Sequence, residues 1–203
     1  MPLQNRVDPF GKLFRTPARG TMMGNRGGVL HNILDNGERE IVRSYKTRRW
    51  ITCVLGFRGR KRVVMAERRY TELFFLDEAV AFAAGHRPCA ECRRERFNAF
   101  KAAWGGGPFA DAMDRELHAA RKVTYEAELG SLPDACFVEL DGCAYLVRGR
   151  GLLLWTPEGY AKRVRRPGDL TVRVLTPKPI VRCLGHGYTP QVHDSVILFA
   201  QSL

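Results

Sequence analysis

His86-Arg87-Pro88-Cys89-Ala90-Glu91-Cys92-Arg93-Arg94 constrains this chain more than any other stretch. Two cysteines stand three positions apart, behind a proline that stiffens the approach and ahead of arginines that lead into a helix. A C-x2-C step turns tightly enough for two sulfurs to reach one ion. The free backbone N–H groups of a first helical turn then favour a thiolate on the second cysteine. The pattern is that of a metal half-site. Two other uses of the spacing stay open, a pair of buried thiols beside a turn and a redox C-x-x-C. The redox use lacks the strand-then-helix surroundings of thioredoxin-like proteins.

A half-site needs partners, because most structural zinc sites have four ligands. Cys53 is the one cysteine upstream, on a predicted strand, and is the expected third ligand; the alternative for it is a buried core thiol. His31, which follows a glycine loop and has the freedom to reach, is the expected fourth. His86 and a water compete for that place, and an aromatic-like packing role suits His86 better. The predicted metal set is therefore Cys53, Cys89, Cys92 and His31, with Zn2+ as the ion. Four protein ligands would make a staple, three an open site suited to chemistry.

The same stretch carries a family likeness. Phe74-Phe75, then Asp77-Glu78-Ala79-Val80-Ala81-Phe82-Ala83-Ala84-Gly85, then His86-Arg87-Pro88-Cys89-Ala90-Glu91-Cys92-Arg93 resembles the second half of the Ada-type metal-binding domain of bacterial alkylated-DNA repair and response proteins. The resemblance covers residues 70–97 or so. It implies a bacterial protein with a structural zinc near DNA, with Cys89 and Cys92 as the distal ligand pair. The family's proximal C-x3-C pair, which contains the methyl acceptor, has no counterpart, since no cysteine lies four residues from Cys53. Methyl transfer is accordingly not implied.

Charge points to the same partner. The chain has 203 residues and a net charge of +12. Residues 1–70 hold 16 Lys/Arg against 5 Asp/Glu, so nearly all the excess precedes the first predicted helix. Arginine dominates it, and guanidinium groups pair bidentately with phosphate. A polyanion, most simply nucleic acid and DNA before RNA, is the natural partner; a solvated basic surface is the bland alternative. Arg48, Arg49, Arg58, Arg60, Lys61 and Arg62 are the expected contacts, joined by Arg163 and Arg165 beside the aromatics of Trp155–Tyr160. No apolar run of membrane-spanning length occurs, and the first residues lack a signal core, so a cytoplasmic protein is expected, its cysteines free or metal-bound.

Pattern and punctuation predict an α+β fold in two regions, residues 1–130 and 131–203. Residues 1–28, broken by Pro2, Pro9, Pro17 and several glycines, read as a surface wrap, with Met22–Gly28 as a backbone nest carrying Arg26. Trp50–Phe57 and Arg62–Met65 read as a hairpin with a basic tip at 58–61, packed on helices around a zinc knuckle. Helices are predicted over 78–84, capped by Asp77 and stopped by Gly85, over 92–104, and over 109–128. Beyond Ser131 the period is two. Asp141-Gly142 marks a hairpin, and strands over 152–155, 170–175, 180–184 and 195–199 would complete a small antiparallel sheet or partial barrel. The step near 130 is a domain boundary or a change of layer.

Chemistry, if there is any, is expected on the third helix. Asp114, His118 and Arg121 fall at i, i+4 and i+7 on one face. Asp114 would orient His118 and raise its pKa, His118 would act as general base or acid, and Arg121 would hold a phosphate. That would suit a nuclease or another phosphodiester enzyme. An ordinary helix face laced by ion pairs explains the same spacing, and so does a non-catalytic interaction module. His193 and Ser195 lack the G-x-S-x-G elbow of a hydrolase. The reading of the whole is a zinc-binding, nucleic-acid-binding protein acting in DNA repair, modification or regulation.

Overall fold

The computed structural model describes residues 1–60, 63–107 and 109–199. The chain opens with short strands β1 (Arg6–Val7), β2 (Leu13–Phe14) and β3 (Met22–Asn25). A small hairpin of β4 (His31–Ile33) and β5 (Arg39–Ile41) follows, then β6 (Ile51–Cys53) and β7 (Leu73–Phe75). Helix α1 (Glu78–Ala83), strand β8 (Arg87–Pro88) and helices α2 (Arg94–Trp104) and α3 (Ala110–Ala120) come next. Strands β9 (Tyr125–Glu128), β10 (Phe137–Leu140), β11 (Cys143–Arg148), β12 (Gly151–Thr156), β13 (Gly159–Arg165) and β14 (Thr171–Val174) lead to helix α4 (Lys178–Gly185) and a 3-10 stretch, Asp194–Phe199.

The strands form two six-stranded sheets. The first is mixed, in the order β2-β1-β7-β3-β6-β8; the second is antiparallel and open, β13-β12-β11-β10-β14-β9. Helix α1 lies between them, touching β7 and β10. All six of its residues are buried, as an Ala- and Val-rich helix without a polar face requires. Its N-terminus is capped as predicted, with Asp77 Oδ1 accepting from Val80 N at 2.9 Å. Phe82, Phe100, Trp104 and Tyr188 pack together in tilted and edge-to-face pairs with ring centroids 5.4–5.6 Å apart. One buried cluster runs from Val7 through these rings to Val138 and Val174, with members on both sides of residue 130. No described helix is long and apolar enough to cross a membrane.

Residues 1–28 supply three strands and two buried methionines, Met22 and Met23. Their glycines serve close approach: a Cβ at Gly24 would lie 2.2 Å from the Ile51 carbonyl oxygen. Among the described residues no basic hairpin forms: β6 pairs with β3 and β8, and Val63 is exposed; Lys61 and Arg62 lie outside the described residues. The third helix stops at Ala120, and Tyr125–Glu128 pair instead with β14, consistent with β-branched Val123-Thr124 between them. Residues 180–184 belong to α4, whose Ile180, Cys183 and Leu184 are buried at helical spacing behind a Pro-rich start. Ser195–Phe199 is 3-10 and not a strand. The Asp141-Gly142 turn is present, both residues having positive φ (50° and 75°) as a type I′ hairpin needs.

Candidate metal centre

Parallel pairing of β6 with β8 builds the centre. Ile51 faces Arg87 and Thr52 faces Pro88, and Cys89 N donates to the Thr52 carbonyl at 2.9 Å. The register therefore delivers Cys53 and Cys89 side by side at the end of two neighbouring strands. Pro88 costs no ladder bond because β8 is the edge of its sheet. A turn then brings Cys92 back before α2 begins. The three sulfurs lie within 4.8 Å of one another. A tetrahedral ion with metal–sulfur distances of about 2.3 Å would hold its thiolates about 3.8 Å apart, so the trio needs little adjustment to close on one ion.

Backbone amides prepare the sulfurs. Glu91 N points at Cys89 Sγ at 3.4 Å, Cys92 N also faces that sulfur, and Val54 N faces Cys92. The hydrogen bond from Cys53 and these amides bring the Cys89 thiol down to about 5. The same Cys53 bond is the largest influence lowering Cys92. Cys53 moves the opposite way, pushed up chiefly by donating to Cys89, then to Cys92, and by burial. Cys53 thus holds its proton most firmly and Cys89 and Cys92 give theirs up more easily, an arrangement a soft cation can take over. Met23, Ile51 and Phe74 pack around it.

The surrounding charges are pinned. Arg87 donates from Nε and Nη2 to both carboxylate oxygens of Asp114 at 2.8 and 2.7 Å, in a pair that is almost wholly buried. Arg93, next to Cys92, meets Glu78 at 2.9 Å, and Glu78 also accepts from Arg96, Tyr188 Oη and Gln191 N. Arg93 also donates to Gln191 Oε1 at 2.5 Å. At the rim, Arg60 pairs with Glu91 at 3.2 Å.

The other predicted residues are placed as follows. His31 stands outside the thiol group; its Nδ1 is 2.7 Å from Thr71 Oγ1 and its Nε2 is buried without a partner. Among the described residues no His, Asp or Glu completes the trio. His86 packs between Trp50 and Phe75, and accepts from Arg26 Nε at 3.3 Å. The helix-face triad does not assemble. Asp114 is committed to Arg87, and Arg121 to the carbonyls of Gly85 and Arg48. His118 meets Tyr45 edge-on, and burial with nearby Lys122, Arg121 and Arg48 lowers its pKa instead of raising it. Asp114 lies on the buried side of α3, with Met113 and Leu117.

The arginines expected to meet nucleic acid divide between two places. Arg48 and Arg49 are exposed, Arg49 pairing with Asp111 at 2.9 Å. Arg58 and Arg60 fold back on the Phe57 ring at 4.9 and 5.3 Å. Arg163 donates to the Phe199 carbonyl on the second sheet, and Arg165 is exposed at the end of β13. Sequence reasoning missed the buried roles of Arg26, Arg87, Arg93 and Glu78. A carboxylate pair, Asp77-Glu78, opening an otherwise apolar helix was the signal that buried cations and hydroxyls had to meet it.

Compared with known proteins, the chain matches no family model, no curated protein and no solved structure.

Proposed function

We propose that the chain holds one zinc ion on Cys53, Cys89 and Cys92 and uses the locked loops to engage nucleic acid, DNA in the first place. The convergence of three thiols from two segments 36 residues apart carries this reading. The loops leaving both segments are arginine-bearing, and Arg60 and Glu91 tie them together. Three thiolates suit zinc and leave a fourth position for water or an outside ligand. The Ada resemblance adds the distal ligand pair and the DNA partner; alkyl acceptance is not part of the proposal, because the C-x3-C pair is missing.

Elemental analysis should find about one zinc per folded chain; less than about half would remove the metal from the account. Fluorescence anisotropy with duplex DNA should show affinity falling steeply with salt, by roughly one unit of log–log slope per phosphate contact. Arg58→Ala with Arg60→Ala should reduce that slope by about 2 across unrelated sequences. A flat salt response in a zinc-loaded sample would sink the nucleic-acid half while leaving the metal half standing.

A further inference from the structure

Arg26 is buried and Arg121 half-buried, and neither is hydrogen-bonded to a carboxylate. Arg26 is 1% exposed and lies 4.0 Å over the Trp50 ring. It donates to His86 Nε2 at 3.3 Å, the Gly11 carbonyl at 3.0 Å and the Ser44 carbonyl at 3.4 Å. Arg121 lies 4.3 Å from the same indole and donates to the Gly85 carbonyl at 2.9 and 2.7 Å and to the Arg48 carbonyl at 3.1 Å. Every one of those acceptors is neutral. Among the described residues neither arginine makes an ion pair, in contrast to Arg87 and Arg93. Asp8 favours the Arg26 cation and Asp114 the Arg121 cation from a distance, but neither outweighs the cost of burial. Burial, then repulsion from Arg121, brings the Arg26 guanidinium down to about 9, and burial brings Arg121 down to about 10. Both therefore stay cationic at neutral pH.

Arg121 forms part of the wall of a cavity of about 420 Å³, within the size range of small-molecule clefts. Gly11 and Lys12 line it as well, and a Cβ at Gly11 would meet Arg26 Nη2 at 3.8 Å, so the second guanidinium lies directly behind that wall. Two of the nearby acids are paired with other arginines, while Asp8 keeps its charge near Arg26 and Lys12. Glu139, in the lining, is held by Arg173 at 2.7 Å, and Asp8 accepts from Lys12 N at 2.8 Å. Asp114 is held by Arg87. The cavity is left with an excess of fixed positive charge and with guanidinium and ammonium donors at its surface.

We propose that this cavity binds a phosphate-class oxyanion, with Arg121 and Lys12 as direct ligands and Arg26 as the charge behind them. Guanidinium and ammonium groups bind phosphate by charge-assisted hydrogen bonds. The anion has two possible sources, a free or small-molecule phosphate and the terminal phosphate of a nucleic-acid strand. The site is independent of the thiol centre.

Isothermal titration of the full chain tests it, with orthophosphate, sodium chloride at matched ionic strength, and 5′-phosphorylated and 5′-hydroxyl oligonucleotides of one sequence. Saturable orthophosphate binding, absent with chloride and weakened about tenfold or more by Lys12→Glu, supports the site. Lys12 is exposed, so that variant leaves the core intact. Arg121→Lys should also weaken binding, through loss of the planar fork. Tighter binding of the 5′-phosphorylated strand, lost in Lys12→Glu, assigns the anion to a strand end; equal binding of both strands beside saturable orthophosphate assigns it to a small ligand. Neither orthophosphate binding nor preference for the phosphorylated strand would overturn the proposal. So would anion binding that Lys12→Glu leaves unchanged.

Discussion

The two sheets reach the same size by different means. In the second, strands run four to seven residues, and β10 to β13 follow one another through tight turns, each pairing with the next. In the first, no strand exceeds four residues, two pairings are parallel, and neighbours such as β6 and β8 are far apart in sequence. Local hairpins give the second sheet a ladder that needs little help. The first has few ladder bonds, and side chains brace it: the thiol trio joins the β6–β8 edge, and Arg87 on Asp114 ties β8 to α3. Short strands with long-range partners depend on such cross-links, because loop-closure entropy must be met by something other than the ladder.

That difference can be broken experimentally, and the largest effect should come from the metal. Cys89→Ser or Cys92→Ser, or a chelator applied to zinc-loaded protein, should remove several kcal/mol, given that structural zinc contributes on the order of 10 kcal/mol in small domains. Hydrogen exchange should then open residues 22–25 and 51–53 while 143–165 stay protected. Equal opening of both sheets would show that they share one cooperative unit.

Asp114→Ala should come next, at about 3–5 kcal/mol by urea denaturation, because it strands Arg87 in the interior. A loss under about 1 kcal/mol would mean that the guanidinium finds water or another acceptor. Acid should act through His86, whose ring is held neutral by burial and by Arg26 and Arg121. Its folded pKa lies below the unfolded value of about 6.5, so its stabilising share is complete above that pH. It is lost as pH falls towards the folded pKa, by up to about 1.4 kcal/mol per pH unit. His86→Gln should flatten this part of the stability–pH curve between pH 7.5 and 5.5; an unchanged slope would assign it elsewhere. The smallest effect belongs to the second sheet. Arg173→Ala breaks a partly exposed pair with Glu139 and should cost no more than about 1 kcal/mol. A loss matching that of Asp114→Ala would erase the contrast between the sheets.

What the sequence disclosed follows the same division. The Asp141-Gly142 turn, the Asp77 cap and the C-x2-C step are local signals, and each is found where its residues predict. Cys53 was reachable by elimination, as the one thiol upstream. The parallel β6–β8 register that delivers it leaves no trace in either segment alone. His31 had the reach for the centre in principle, but β4 turns it to Thr71. The strands of residues 1–25 were hidden by glycines and prolines that resemble linker, and α4 by a short apolar run that fits either period. Arg26 shows the limit most clearly. Nothing in Asn25-Arg26-Gly27 separates a solvated cation from one stacked on an indole.

The clasp at the head of α1 has a consequence for synthesis. Asp77 and Glu78 find their partners at Tyr160, Tyr188, Gln191 and His193, up to 116 positions later. At 5–20 residues per second, a ribosome needs roughly 6–23 s to make that stretch. Throughout that interval the nascent first half carries two carboxylates destined for the interior and an Arg93 that lacks Gln191. The cap of its central helix is complete only when residues 160–193 have been made. The chain is therefore exposed, while still being made, to whatever binds unfinished apolar surface, until residues 160–193 reach the head of α1.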